Sequence, residues 1–186
     1  MAVKFKHPSI YTMYFCTFTC YNWLHLFEQT NSYDLVYNWF SILNKKSVDV
    51  VAYVIMPNHV HCILNFNDEN FNLNNVLSNG KRFMAYEIIN RLVAKNEHQT
   101  LKHLQDALSE REREKGQLHK VFTSSFDAKA IFSEKNLIQK LNYIHFNPVT
   151  GKWKLASDYT LYEHSSASFY ESGIVKLFLP KHYMEI

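Results

Sequence analysis

The stretch over residues 48–66 constrains the fold of this chain more than any other. Two segments rich in β-branched and apolar residues, VDVVAYVI over 48–55 and HVHCILNF over 59–66, are separated only by Met56-Pro57-Asn58. Two strands joined by so short a turn form an antiparallel hairpin. The sequence therefore predicts a sheet that contains antiparallel strands.

The remaining periodic segments predict the other elements of the fold. Aromatic and β-branched residues indicate strands, and apolar residues at three- and four-residue spacing indicate amphipathic helices. We expect a strand over 10–21, a helix over 33–46, a helix over 74–94 interrupted or begun near Gly80, a strand over 125–132 and a helix over 134–147 capped by Ser133. The charged segment 95–120 is predicted to be an exposed helical excursion, and the tail 150–186 to be packed at an unassigned position.

This order of elements predicts the fold class. Strand, helix, strand, strand, helix, strand, helix is a split βαβ arrangement, which makes an α+β, ferredoxin-like or RRM-like sandwich. We expect an antiparallel sheet with helices packed on one face. Because many functions use that fold, the function has to be argued from the site.

Length and composition narrow the class of protein. With 186 residues, 47% hydrophobic and 20% charged, the chain is predicted to form a single domain over 1–186 with its core at about 10–170. It is too short for an α/β-barrel hydrolase. A net charge of +3 requires any nucleic-acid partner to be held by a local basic groove. Three cysteines without CxxC spacing, and no apolar leader or membrane span, predict a cytoplasmic protein with no membrane partner.

His59 and His61 are the first candidate site residues. On a strand they leave the same face, about 7 Å apart along the chain, so they could share one cation. Val60 and Cys62 point to the other face. An isolated pair of this kind can equally be two hydrogen-bonded structural histidines, because short motifs match by chance.

Tyr143 and Asn147 are the second pair of candidates. Leu137, Leu141 and Ile144 form the buried stripe of the last helix, and Tyr143 and Asn147 lie one turn apart on another face. Taken alone, Tyr143 can be one more packing residue among 12 tyrosines. Asn147 can be a helix stop before Pro148.

The two pairs together suggest a specific chemistry. Two imidazoles and an amide oxygen with open positions suit Mg²⁺ or Mn²⁺ better than a closed zinc site. A tyrosine beside such a metal suggests phosphoryl transfer through a covalent protein intermediate. The metal would polarise the phosphodiester and help the phenol attack at neutral pH.

The chain resembles the single-tyrosine HUH transposases, and within them the REP-associated tyrosine transposase branch. The resemblance covers about 11–170. Its motifs are YFCTFTCYNW at 14–23, VIMPNHVHCIL at 54–64, FDAKAIFSEKNLIQKLNYIHFNPV at 126–149 and HSSASFY at 164–170. Val121-Phe122-Thr123 stands where family members often carry a Trp-Gln pair.

The resemblance implies an enzyme, a DNA strand transferase used in DNA transposition and recombination. It implies a metal-dependent transposase that nicks and rejoins single-stranded DNA near hairpins through a 5′-phosphotyrosine. Tyr143 would be the nucleophile, and His59, His61 and Asn147 would hold Mg²⁺ or Mn²⁺. The family includes both monomers and homodimers.

Basic residues near the motifs are candidates for DNA phosphate contacts. Each could equally be a solvated surface residue. They are Lys81, Arg82, Arg91, Lys129, Lys140 and Lys152.

Three other functions remain open from the sequence. One is a replication-initiator or relaxase-like nickase, which usually has a larger chain. Another is a catalytically silent or domesticated protein of the same fold that binds single-stranded or hairpin DNA for regulation. The third is a metal hydrolase, which would lack an evident carboxylate beside His59 and His61.

Overall fold

A computed structural model describes residues 11–68 and 70–186 of the chain. In this part a four-stranded antiparallel sheet runs in the order β2-β3-β1-β4. The strands are β1 (Met13–Thr19), β2 (Val48–Met56), β3 (His59–Phe66) and β4 (Asp127–Ala130). Since β3 lies between β1 and β2, the predicted split βαβ topology is confirmed. Ile10, the first residue of the strand predicted over 10–21, lies outside the described residues.

Seven α-helices accompany the sheet within the described residues. They are α1 (Leu26–Gln29), α2 (Tyr33–Asn44), α3 (Leu73–Ala94), α4 (His98–Asp106), α5 (Glu110–Glu114), α6 (Glu134–Phe146) and α7 (Ala167–Ser172). The Ser133 side chain accepts a hydrogen bond from the Asn136 backbone N–H, so the predicted cap of α6 is confirmed.

One face of the sheet carries an apolar core under α2 and α3. Val60, Cys62, Leu64 and Phe66 of β3 point to this face and are buried among side chains of both helices. Every second residue of β3 is therefore used for packing, as the period-two pattern predicts.

The other face is covered by α6. Leu137, Leu141 and Ile144 pack there on Ile63 of β3 and on side chains of β2. The expectation of helices on one face therefore holds for α2 and α3, whereas α6 lies opposite them. The reason is that β2 and β3 are buried on both sides, so each face needs its own apolar cover. This arrangement puts α6 on the face that carries His59 and His61.

The helix predicted to break or begin near Gly80 is continuous. A Cβ atom at Gly80 would lie 2.6 Å from Nε1 of Trp39. Gly80 thus allows α3 to approach α2 closely, and it does not end the helix. The tightness of the contact, not turn geometry, explains this glycine.

The segment 95–120 is less exposed than predicted. Leu104 of α4 is fully buried in the core under α2 and α3, whereas α5 contains no buried residue. Only the second half of the segment, which contains α5, is mostly exposed as predicted.

The tail closes the free edge of β2. The backbone N–H of Ile55 donates to the His164 carbonyl at 2.9 Å, and that of Ser166 donates to the Tyr53 carbonyl at 3.0 Å. The Tyr162 hydroxyl donates to the Ile55 carbonyl at 2.8 Å. An edge strand that would otherwise expose unpaired backbone groups is covered in this way.

None of the helices in the described part of the chain has the length and apolar character needed to span a bilayer.

Candidate active site

Strand β3 places His59 and His61 side by side on the α6 face of the sheet. Their ring centroids are 4.7 Å apart, and the residues are only 4% and 5% exposed. The predicted common face of the two imidazoles is confirmed. Two buried rings at this separation can approach one cation together.

A hydrogen-bond chain fixes the protonation of the His59 ring. The Asn58 amide nitrogen donates to the Trp23 carbonyl at 3.0 Å, which turns its oxygen toward His59. That oxygen lies 2.6 Å from Nδ1 of His59 and accepts a hydrogen bond from the ring. Since Nδ1 carries the proton in the neutral ring, Nε2 keeps a lone pair that can bind a metal. The His61 ring is oriented by Thr17, whose hydroxyl oxygen lies 2.6 Å from Nδ1 and can donate or accept the hydrogen bond.

Burial keeps both imidazoles neutral. It lowers the pKa of His59 to about 4, with a smaller contribution from the charge of Lys152, and the neighbouring Asn147 amide opposes part of this effect. Burial also holds the pKa of His61 well below its usual range, and His59 and Lys140 lower it further. Neutral rings at pH 7 are the form in which histidine binds metals.

Helix α6 brings Tyr143 to the histidines. The Tyr143 ring centroid is 5.1 Å from that of His61 and 5.8 Å from that of Phe15. The residue is 51% exposed. A phenol that borders the buried histidines and still faces solvent can meet a substrate from outside.

Asn147 is the residue directly after α6, and its side-chain oxygen is buried. Its Oδ1 is the only buried side-chain nitrogen or oxygen without a hydrogen-bond partner among the described residues. A buried polar atom without a partner is costly and requires an explanation. A cation bound beside His59 would satisfy it.

These side chains line one open cavity of about 350 Å³. None of its lining residues carries a carboxylate, so the wall presents rings, amide and hydroxyl groups, and one cation. The lining residues are Thr17, Trp23, His59, His61, Tyr143, Asn147, Lys152 and Trp153.

The donor set fits a small divalent cation with open coordination positions. No group of three or more His, Cys, Asp or Glu side chains suited to a metal occurs in the described ranges, so a closed structural site is not supplied. Two imidazole nitrogens and the unpaired Asn147 oxygen leave further positions for water or phosphate. These three residues could therefore hold Mg²⁺ or Mn²⁺.

Three of the predicted phosphate contacts lie on the site's face. Lys152 lines the cavity, and Lys140 of α6 has its Nζ 4.9 Å from the centroid of the Phe15 ring. Lys129 of β4 pairs with Phe15 in the register and remains exposed, 3.5 Å from Asp127. Lys140 and Lys152 thus place positive charge on this face, whereas the charge of Lys129 is offset by Asp127, which lies opposite Thr17.

The other three predicted contacts lie on α3, which packs on the opposite face of the sheet. Lys81 donates from Nζ to the Thr123 carbonyl at 2.7 Å and to the Ser125 carbonyl at 3.2 Å. Burial lowers its pKa to about 8. The Lys81 ammonium therefore hydrogen-bonds backbone carbonyls and does not lie near the histidines.

Arg82 and Arg91 are also remote from the histidines. Arg91 donates to both carboxylate oxygens of Asp34, at 2.8 and 2.7 Å. Arg82 lies over the ring of Phe83 at 5.0 Å. Proximity in sequence to the HVH motif was a poor guide for these residues, because α3 crosses behind the sheet.

Sequence reasoning missed three residues of the site. Thr17 lies opposite His61 in the pairing of β1 with β3, which is visible only when the register is known. Asn58 looked like an ordinary turn residue. Trp23 follows β1 without any periodic signal, yet its ring lies 5.7 Å from that of His59.

Comparison with a solved structure shows the fold of the chain. No family model and no curated protein matches the chain. The structure is similar to that of a REP-associated tyrosine transposase bound to a REP hairpin, at 17% identity and a TM-score of 0.58, over 96% of this chain and 91% of that one. A candidate transposase from Deinococcus radiodurans R1 is 16% identical over 71% of this chain and 87% of that one, with a TM-score of 0.44. The chain thus has the fold of a REP-associated tyrosine transposase.

Proposed function

We propose that this chain is a metal-dependent transposase that cleaves and rejoins single-stranded DNA through a 5′-phosphotyrosine on Tyr143. One observation carries the proposal. Two segments about 80 residues apart in the sequence bring His59, His61, Tyr143 and the unpaired oxygen of Asn147 to a single cavity. The Asn147 oxygen neighbours His59 and accepts no hydrogen bond among the described residues, so a cation held between the two would satisfy it.

The electrostatics of this face suit a DNA strand. No carboxylate lines the cavity, and Lys152 lies in it. On the same face Lys140 adds a positive charge, while Lys129 is paired with Asp127. Lysines placed in this way bind phosphates and position a strand without reading its bases. The solved structure of the same fold was bound to a REP hairpin, and we propose hairpin-bearing single-stranded DNA as the partner here.

His59, His61 and Asn147 would hold Mg²⁺ or Mn²⁺. When bound, such a cation supplies Lewis-acid polarisation of the phosphodiester and stabilises charge on its non-bridging oxygens. Asn58 and Thr17 orient the two imidazoles through their Nδ1 atoms. Burial keeps the rings neutral and available at pH 7.

The covalent step is carried by Tyr143. Its hydroxyl gives up its proton as the oxygen attacks the phosphorus of a phosphodiester. The bond from phosphorus to the 3′ oxygen breaks, and the departing oxygen takes up a proton to leave a 3′-OH, so no net proton is gained or lost. The 5′ phosphate stays on the phenol oxygen. Because an ester replaces an ester, a DNA 3′-OH can reverse the attack and rejoin a strand without an external energy source.

The experiment is a search for the covalent product. Single-stranded oligonucleotides from the DNA flanking the gene are incubated with the protein and Mg²⁺ or Mn²⁺, and denaturing gels are read for a protein-DNA band. We expect a metal-dependent band in the parent protein and none with Tyr143→Phe or His59→Ala. Tight binding without any band would favour the catalytically silent DNA-binding protein.

A further inference from the structure

Two tryptophans, Trp23 and Trp153, border the proposed metal site. The Trp23 ring centroid is 5.7 Å from that of His59, and the Trp153 ring centroid is 6.3 Å from it. Both indoles line the same cavity as Tyr143. A strand whose phosphate reached Tyr143 would therefore pass directly beside two large rings.

The position of Trp23 is costly for the fold and gives little packing in return. Asn22 and Trp23 both have left-handed backbones, with φ of 51° and 57°. Such a conformation is a genuine outlier for a bulky residue. The Trp23 side chain does not compensate for it by burial, because the residue is 59% exposed. Strain of this kind is typically kept at sites where a side chain has to face a ligand.

The same side chain that fixes His59 also holds this strained turn. Asn58 is 1% exposed, donates to the Trp23 carbonyl and accepts from the His59 ring. The Trp23 backbone N–H donates to the Cys20 carbonyl at 3.1 Å. Asn58 therefore holds the Trp23 backbone and the His59 ring in a fixed relative position. A base stacked on Trp23 would lie at a fixed distance from a cation at His59.

Trp153 lies beside a cationic partner. The Nζ of Lys152 lies 5.5 Å from the Trp153 ring centroid, and the His25 ring packs at 5.5 Å from the same indole. A ring that can stack with a base and a lysine that can bind a phosphate thus come from consecutive residues. Proteins bind unpaired nucleotides with this combination of a stacking ring and a basic group.

We propose that Trp23 and Trp153 form a stacking site for unpaired nucleobases next to the scissile phosphate. The inference rests on the proposed function and adds the part of the substrate that the site holds: bases out of a duplex, whose flat faces the indoles contact. Base pairing would hide those faces, so the site selects single-stranded DNA at the cleavage position. Because every base has a flat face, the stacking itself tolerates different sequences.

The test measures binding separately from cleavage. In a Tyr143→Phe background, fluorescence polarisation follows a labelled single-stranded oligonucleotide from the DNA flanking the gene, and abasic sites are scanned along it. Trp23→Ala and Trp153→Ala should each weaken binding by about 5- to 150-fold, the loss that corresponds to one stacked base. Trp23→Phe, which keeps a ring, should recover most of the affinity.

The abasic scan identifies the stacked base. An abasic site at one position should weaken binding to the Tyr143→Phe protein, and it should cause no further loss when Trp23→Ala is also present. Tyr86→Ala is the matched control, because Tyr86 is 64% exposed on α3, behind the sheet. Thermal unfolding of each variant checks that the fold is kept.

The outcomes separate the two proposals. Unchanged affinity in both tryptophan variants, with an intact covalent band in the parent protein, would overturn the stacking site and leave the transposase proposal standing. Loss of affinity at the tryptophans without any covalent band would support the stacking site and overturn the enzyme. Absence of binding to every flanking strand would overturn both.

Discussion

The two faces of β3 use alternate residues of one eight-residue strand for opposite purposes. Val60, Cys62, Leu64 and Phe66 are buried in an apolar core with no hydrogen-bonding requirement. On the other face, His59 and His61 are just as buried but depend on Asn58 and Thr17 for partners. The first face supplies free energy of folding, while the second positions polar groups.

This difference teaches how a small sheet protein can hold a polar site. Burial of apolar side chains contributes roughly 1.5–3 kcal/mol each, whereas burial of polar groups is costly even when they are paired. The α2 and α3 face must therefore support the α6 face. We expect substitutions on the two faces to separate stability from chemistry.

The largest effect should come from His61→Ala. Removing one of two imidazoles from the proposed metal site should lower the rate of strand cleavage on the order of a thousandfold, because Lewis-acid stabilisation is worth several kcal/mol. The melting temperature should fall less than for a core truncation, because the vacated space opens on a cavity that water can enter. Rates from quenched gel assays and thermal unfolding measure the two quantities. A stable variant that cleaves at the parental rate would contradict the assignment of the chemistry to the α6 face of β3.

The opposite result is expected for Leu64→Ala on the other face of β3. Truncation of a fully buried leucine should lower the free energy of unfolding by about 2–5 kcal/mol. Cleavage measured well below the melting temperature should remain near the parental rate, because Leu64 does not line the cavity. Urea unfolding gives the stability. A variant with parental stability and lost cleavage would contradict the assignment of the two faces.

Acid should destabilise the metal-free protein through its buried histidines. Burial lowers the pKa of both His59 and His145 to about 4, below the usual value of about 6.5 in an unfolded chain. The unfolded state then binds more protons between pH 6.5 and pH 4, so stability rises with pH across that window. We expect a loss on the order of 2 kcal/mol for each ring between pH 7 and pH 5. Urea unfolding as a function of pH tests this, and His145→Gln should remove one contribution.

The smallest of these effects should come from Gly80→Ala. An exposed glycine in a helix normally gains up to about 1 kcal/mol when it is replaced by alanine. Here the new Cβ would lie 2.6 Å from the Trp39 indole, and the overpacking should lower stability by about 1–3 kcal/mol instead. Ser78→Ala, at an exposed position of the same helix, is the control and should be nearly neutral. A stabilised Gly80→Ala variant would show that α3 can move away from α2.

The sequence predicted the sheet well because its signals were local. The alternation within β3 and the short turn before it are properties of neighbouring residues, and the register that pairs His61 with Thr17 extends them. The interruption at Gly80 was wrong because the cause of that glycine, Trp39, lies 41 positions away in the sequence. The tail could not be placed because its bonds to β2 come from scattered groups such as Tyr162 and Ser166.

The residues of the candidate site also fall into those that local sequence signals predicted and those that they did not. His59, His61, Tyr143 and Asn147 were found from spacing and resemblance, and the structure brings all four to one cavity. The basic residues of α3 lie on the face opposite the histidines, because charge carries no information about which face of a sheet a helix covers; their contact with DNA stays a prediction. Trp23 was missed because its backbone conformation has no signature in the residue letters.

The proposed mechanism requires Tyr143 to be the point of attachment to DNA. The most direct measurement is to isolate the covalent product, digest protein and DNA, and locate the remaining nucleotide by tandem mass spectrometry. We expect a phosphonucleotide on Tyr143 and on none of the other 11 tyrosines of the chain, with a free 3′-OH on the released strand. Attachment at another residue, or an undiminished yield in Tyr143→Phe, would contradict it.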